Sequence, residues 1–147
     1  MDSNSYRSRP FEIRDYGGEP LVVNMNRFAR MNRNFRTALW TGKHLQVTLM
    51  SIPVGEDIGL EFHPDVDQFI RIESGYARVM MGESKEHLDY QQRADADDAI
   101  MIPAGTWHNV INIGSRPLKV YSIYAPPQHP FGTVHQTKQE AEQEEAH

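Results

Sequence analysis

Apolar and polar positions alternate with a period of two through most of the middle of the chain, the signature of half-buried strands. Between His44 and Ile52, Leu45, Val47 and Leu49 alternate with Gln46, Thr48 and Met50. Gln68, Ile70 and Ile72 alternate with Phe69, Arg71 and Glu73, and Tyr76–Met81, Ala99–Ile102 and Leu118–Tyr124 read as further strands. Leu21–Val23 is a short strand candidate after the Gly17-Gly18 turn. Gly42-Lys43 predicts a two-residue type II′ turn joining Phe35–Thr41 to His44–Ile52. Pro103 and Gly105, between Ile100/Ile102 and Val110/Ile111, predict a second hairpin. Residues 82–96 are polar without a period, and no element is predicted there.

Two stretches depart from period two. Met25, Phe28 and Met31 recur at three-residue spacing, which predicts a short helix capped by Asn24 that covers one end of a barrel. Lys138 to Ala146 has helix-forming composition and a Thr137–Glu140 capping box. That segment has almost no apolar face, so a solvated or frayed helix is predicted, one whose removal costs little stability. The pattern is that of an all-β domain: an N-terminal extension and cap over 1–34, the strands over 35–127, and a C-terminal segment with an acidic tail over 128–147.

Two stretches carry the chemistry. The first reads Gly55-x5-Glu61-x-His63-x4-Gln68-x6-Gly75. Glu61 and His63 are two apart, so on an extended strand they share a face, and Pro64 holds His63 in extended conformations. Gln68 shares its face with Ile70 and Ile72, which makes that face the inside. The second reads Asp97-x5-Pro103-x-Gly105-x2-His108-x3-Asn112. His108 follows the turn and is aimed back at the first stretch.

Together these stretches resemble the two motifs of the cupin superfamily, Gly-x5-His-x-His-x3-4-Glu-x6-Gly and Gly-x5-Pro-x-Gly-x2-His-x3-Asn. Every spacing is kept. Glu61 stands where the first His is usual, Gln68 where Glu is usual, and Asp97 where Gly opens the second motif. The resemblance implies a double-stranded β-helix, a jelly-roll barrel, with one cupin unit per chain. Within the superfamily the chain looks most similar to small single-domain bacterial cupins labelled mannose-6-phosphate isomerase-like.

The resemblance also implies a divalent metal held by Glu61, His63, Gln68 and His108, with Gln68 binding directly or through a water. The usual three His and one Glu carry one negative charge, and so does this set, with the charge moved to another position. A mixed oxygen and nitrogen set favours Mn or Fe, and is compatible with Zn, Ni or Co. The implied activity is a metal-dependent isomerase or epimerase acting on a small sugar-like or carbonyl metabolite, with Glu61 as the catalytic base. A metal-dependent dioxygenase and a non-enzymatic small-molecule binding module are the alternatives. Single-domain cupins usually pair, so a homodimer is expected.

Composition narrows the setting. No run of about 18 apolar residues is present, so no transmembrane helix is expected. The N-terminus has no apolar core that would read as a secretory signal. Cysteine is absent, which excludes disulfides and thiolate metal sites and fits a cytoplasmic protein. The net charge is −5, with no basic patch interleaved with aromatics, so no nucleic-acid partner is expected. Asp95, Asp97 and Asp98 read as a solvated turn, and His129 and His135 as surface histidines. Arg36, Lys43 and Arg71 are the cations available to an anionic substrate, each read as a solvated charge. Tyr121, Tyr124, Phe69, Trp40, Met50 and Met81 read as core, with a pocket lining as the alternative.

Overall fold

The period-two stretches pair into two antiparallel sheets whose inner faces meet. The structure, a computed structural model, describes residues 8–145. In chain order its elements are α1 (Met25–Met31), β1 (Arg36–Thr41), β2 (Gln46–Ile52), β3 (Asp67–Ser74), β4 (Tyr76–Gly82), β5 (Tyr90–Asp95), β6 (Ala99–Ile102), β7 (Trp107–Asn112), β8 (Leu118–Ala125), β9 (Val134–His135) and α2 (Lys138–Glu145). One sheet runs β6-β3-β8-β2-β1-β9 and the other β5-β4-β7, a jelly roll. The first seven residues of the N-terminal extension lie outside the described residues. No described helix is long and apolar enough to cross a membrane.

Register sorts the interior into layers. Leu118 sits opposite Ile52, and Val120 lies between Met50 and Ile72. Ser122 lies between Thr48 and Ile70, and Tyr124 between Gln46 and Gln68. The interior is therefore apolar at one end and polar at the other. β7 shows the same gradient on the facing sheet: Val110 belongs to the apolar core, whereas His108 lies toward the polar end. Asn112, the last motif residue, is structural. Its Nδ2 donates to Ile52 O and Arg116 O, both at 2.9 Å, and its Oδ1 accepts from Gly114 N.

The outer face of β2 is buried too, because α1 lies on it. Asn24 Oδ1 caps α1 by accepting from Arg27 N at 3.0 Å, and Phe28 and Ala29 pack on Leu39 and Leu49. Met31, expected on that face, is 47% exposed; the helix turns Ala29 inward instead.

Four expectations are corrected. Leu21–Val23 forms no strand: Val23 packs on the α1 cluster while Val22 stays exposed. A β-bulge between Ala38 and Trp40 shifts the β1–β2 register, so the connection is residues 42–45, closed by Gly42 N donating to Leu45 O at 2.9 Å. β6 and β7 are not hairpin partners, because β6 pairs with β3 and β7 with β4. Gly105 N donates to His63 O at 2.9 Å, which ties that turn to the first motif as the chain crosses between sheets.

The fourth correction is the tail. The Thr137–Glu140 capping box forms, with Glu140 N to Thr137 Oγ1 and Thr137 N to Glu140 Oε2 both at 3.2 Å. The helix it starts is docked: β9 pairs with β1, and Ala141 is buried in the main core. Charge replaces the missing apolar face. Lys138 pairs with Asp57, Glu144 Oε2 lies 2.7 Å from His135 Nε2, and Glu145 Oε1 lies 4.0 Å from Arg36 Nη1.

Candidate metal centre

Residues 53–66 connect β2 to β3 and are tied to β7 by isolated bridges, Asp57 to Ile111 and Glu61 to His108. Glu61 N donates to His108 O at 2.9 Å, and His108 N to Glu61 O at 3.0 Å. This reciprocal pair sets the two side chains opposite each other, and His63, two residues on, faces the same way. Glu61 Oε2 lies 3.0 Å from His63 Nε2. One ligand atom from each of Glu61, His63 and His108 falls within 4.8 Å of the others.

His108 Nδ1 is 2.9 Å from Thr106 O, so Nδ1 carries the proton and donates it. The lone pair of Nε2 is then left pointing inward, buried and without a hydrogen-bond partner among the described residues. Burial lowers the pKa of His108 despite the Thr106 bond and the Glu61 charge, and the neutral imidazole is the form a metal takes. For Glu61, burial pushes the pKa up. The His63 hydrogen bond and the charges of Arg36, His63 and His108 outweigh it, and the carboxylate is held below its usual range.

Gln68 is buried at the same end, between Ile102 and Tyr124 in register. Its Nε2 stands 3.5 Å from Ser122 Oγ, while its Oε1 has no partner. His108 Nε2 and Gln68 Oε1 are thus two buried acceptors without partners among the described residues, at the same end of the interior as the Glu61 carboxylate. Each unmet acceptor costs about 1–3 kcal/mol in a dry interior. The donor set therefore fits a divalent ion.

Several residues near this site carry no spacing signature. Arg36, expected in solvent, is 1% exposed, with Nη2 3.6 Å from Glu61 Oε1. His135, expected at the surface, is buried against Arg36 Nη1 at 3.1 Å. His129 is likewise drawn inward, its ring 5.1 Å from that of Tyr124. Burial, then the charges of Arg36, His135 and His63, push its pKa down to about 2. Tyr124, whose phenol is pushed up chiefly by burial, lies edge-on to His63 at 6.0 Å. Lys43 is exposed in the β1–β2 connection, and Arg71 is paired with Asp97 and Glu73. A cleft of about 450 Å³ bordered by Glu61, His63, His129, His135, Glu144 and Glu145 opens this end to solvent. A larger cavity of about 650 Å³ between β4–β5 and β6 is lined by Val79, Met81 and Ile100 and includes none of the expected ligands.

A family profile described as "Cupin domain" matches residues 48–124. The chain is a cupin. This cupin is 64% identical over 138 residues to the uncharacterized protein YrkC of Bacillus subtilis (strain 168), spanning 94% of this chain and 74% of that one. It is 42% identical over 114 residues to the uncharacterized protein L612 of Acanthamoeba polyphaga mimivirus, spanning 77% and 69%. The crystal structure of BH2720 from Bacillus halodurans matches with a TM-score of 0.88 at 61% identity, covering 89% of this cupin and 99% of that chain. Where the cupin pattern opens its second motif with Gly, Asp97 takes φ 75°, a left-handed conformation that Asp tolerates better than most residues. The turn survives the exchange, and Asp95 N still bonds Asp98 Oδ2 at 2.9 Å.

Proposed function

We propose that this cupin is a divalent-metal-dependent enzyme of the isomerase or epimerase type, acting on a small sugar-like or carbonyl metabolite. The observation that supports it most is the convergence of Glu61, His63 and His108, with His108 Nε2 and Gln68 Oε1 both buried and without a donor among the described residues. In this reading Glu61, His63 and His108 hold the ion, and Gln68 is a fourth ligand or bonds a water beside it. One carboxylate, two imidazoles and an amide favour Mn or Fe, with Zn, Ni and Co compatible. The bound ion supplies Lewis-acid polarisation of a substrate carbonyl or hydroxyl oxygen. The chain supplies the rest: Glu61 accepts the proton, Arg36 lends positive charge beside that carboxylate, and the apolar layers beneath exclude water.

A second reading is an iron-dependent dioxygenase, favoured by the pairing of two histidines with one carboxylate, a set suited to non-haem iron. Metal content followed by turnover on a panel of small hydroxy- and oxo-metabolites, with and without O₂, separates the two. Anaerobic conversion supports the isomerase reading. Substrate loss coupled to O₂ uptake supports the dioxygenase. A metal-loaded protein with neither activity overturns both and leaves a binding module.

A further inference from the structure

Arg36 opens β1 with 1% exposure, and a guanidinium so deeply buried needs its charge and its five N–H donors answered. They are answered only in part. Nη1 donates to His135 Nδ1 at 3.1 Å, and His135 passes the bond on from Nε2 to Glu144 Oε2 at 2.7 Å. The carboxylates facing the guanidinium stand too far off for hydrogen bonds: Glu61 Oε1 at 3.6 Å from Nη2, and Glu145 Oε1 at 4.0 Å from Nη1. Nε has no partner at all among the described residues.

The neighbours of Arg36 define one place. Glu61, His135 and Glu145 all border the 450 Å³ cleft that opens the metal centre. Across it stands His129, whose Nε2 is also buried without a partner. Its position is fixed by Gln46, which accepts from His129 N at 2.9 Å and donates to His129 O at 2.8 Å. The cleft thus presents an unpaired imidazole nitrogen beside the metal ligands, and the underused guanidinium of Arg36 lies directly behind its wall, against Glu61, His135 and Glu145. Glu145, which half enters it, comes from the last described turn of α2, with its side chain 54% exposed.

We propose that Arg36 binds a carboxylate of the substrate, and that Glu145 stands in for that carboxylate when substrate is absent. This rests on the metal-dependent reading of the same site. A planar fork matches a planar carboxylate. Among the described residues, three glutamates, Glu61, Glu144 and Glu145, and no Lys or Arg border the cleft, a setting that suits a carboxylate better than a phosphate dianion. Binding exchanges one carboxylate for another at Arg36 and releases the end of α2, so the substrate competes with a tethered group.

The test uses the full chain, metal-free and Mn-loaded, titrated by calorimetry with malonate and, in parallel, with inorganic phosphate. Malonate should bind the metal-free protein and phosphate should bind much more weakly; phosphate binding as tightly as malonate overturns the carboxylate assignment. Glu145→Gln removes the competitor and should tighten malonate binding about tenfold. Arg36→Gln should weaken it at least about tenfold. If Arg36→Gln fails to fold, Glu145→Gln decides alone, and unchanged affinity in that variant overturns the proposal. Metal content of the same preparations keeps the two readings apart. Protein that loads metal yet ignores malonate overturns the role of Arg36 and leaves the metal centre standing. Protein that binds malonate through Arg36 but loads no metal does the reverse.

Discussion

At the residue scale, Glu61 is the only carboxylate in the cluster with His63 and His108, and a cation's affinity for such a set follows ligand charge before fine geometry. Glu61→Gln leaves two imidazoles and two amides and should weaken Mn binding by at least about tenfold. Gln68→Glu should tighten it by adding a second negative charge. The double exchange, Glu61→Gln with Gln68→Glu, returns the charge to the usual cupin position and should recover much of the affinity. Competition with a chelator measures all three. Parent-like affinity in Glu61→Gln would show that the charge at position 61 is not what holds the ion.

At the scale of elements, α2 is the one whose role differs most from its composition. A helix of eight residues is marginal in water and needs tertiary contacts. Here they are ionic: Lys138 to Asp57, Glu144 to His135, and Glu145 toward Arg36. Deleting Thr137–His147 should therefore destabilise the protein by about 1–3 kcal/mol, since it takes the Ala141 methyl out of the core and leaves the buried Arg36 less well compensated. Urea denaturation of the truncated chain checks this, and an unchanged midpoint would mean that the helix only rests on the surface. The docking should also depend on acidity. Burial raises the Asp57 pKa, but hydrogen bonds from Asn109 and Lys138 bring the net shift below its usual value. A depressed folded pKa means that this stabilisation is complete above the ordinary Asp value of about 3.9 and is lost as pH falls through the folded value. Lys138→Met should flatten the acid side of the stability curve by removing part of that loss.

What composition hid in α2 is general to this chain. Strands with alternating burial, such as β3, β4 and β8, were legible because their apolar faces build the core. β5 was not, because Tyr90–Arg93 are all exposed and, with Ala94 alone turned into the core, the strand rests mainly on backbone pairing with β4. The clustering of Glu61, His63 and His108 was legible because motif spacing survives the exchange of residue types. Arg36, His129 and His135 were not, because the fold brings them in from distant positions: Arg36 and His135 are separated by 99 residues and meet only through the β1–β9 pairing.

At the scale of the whole molecule, the two sheets end in open edges at β5 and β6, near which Tyr76, Tyr90 and Met101 are each more than half exposed. Exposed strand edges with apolar side chains invite pairing, so a homodimer is expected. Light scattering at micromolar concentration should give twice the 16.9 kDa of one chain, and the single-chain mass would contradict it. At the polar end of the layered interior, His108 Nε2 and Gln68 Oε1 are buried without partners among the described residues, and a divalent ion would satisfy them. Elemental analysis of untagged protein, grown with added Mn and Fe, is the most direct measurement. About one divalent first-row ion per chain is predicted, falling to trace levels in His108→Ala; a parent protein that carries only trace metal would contradict it.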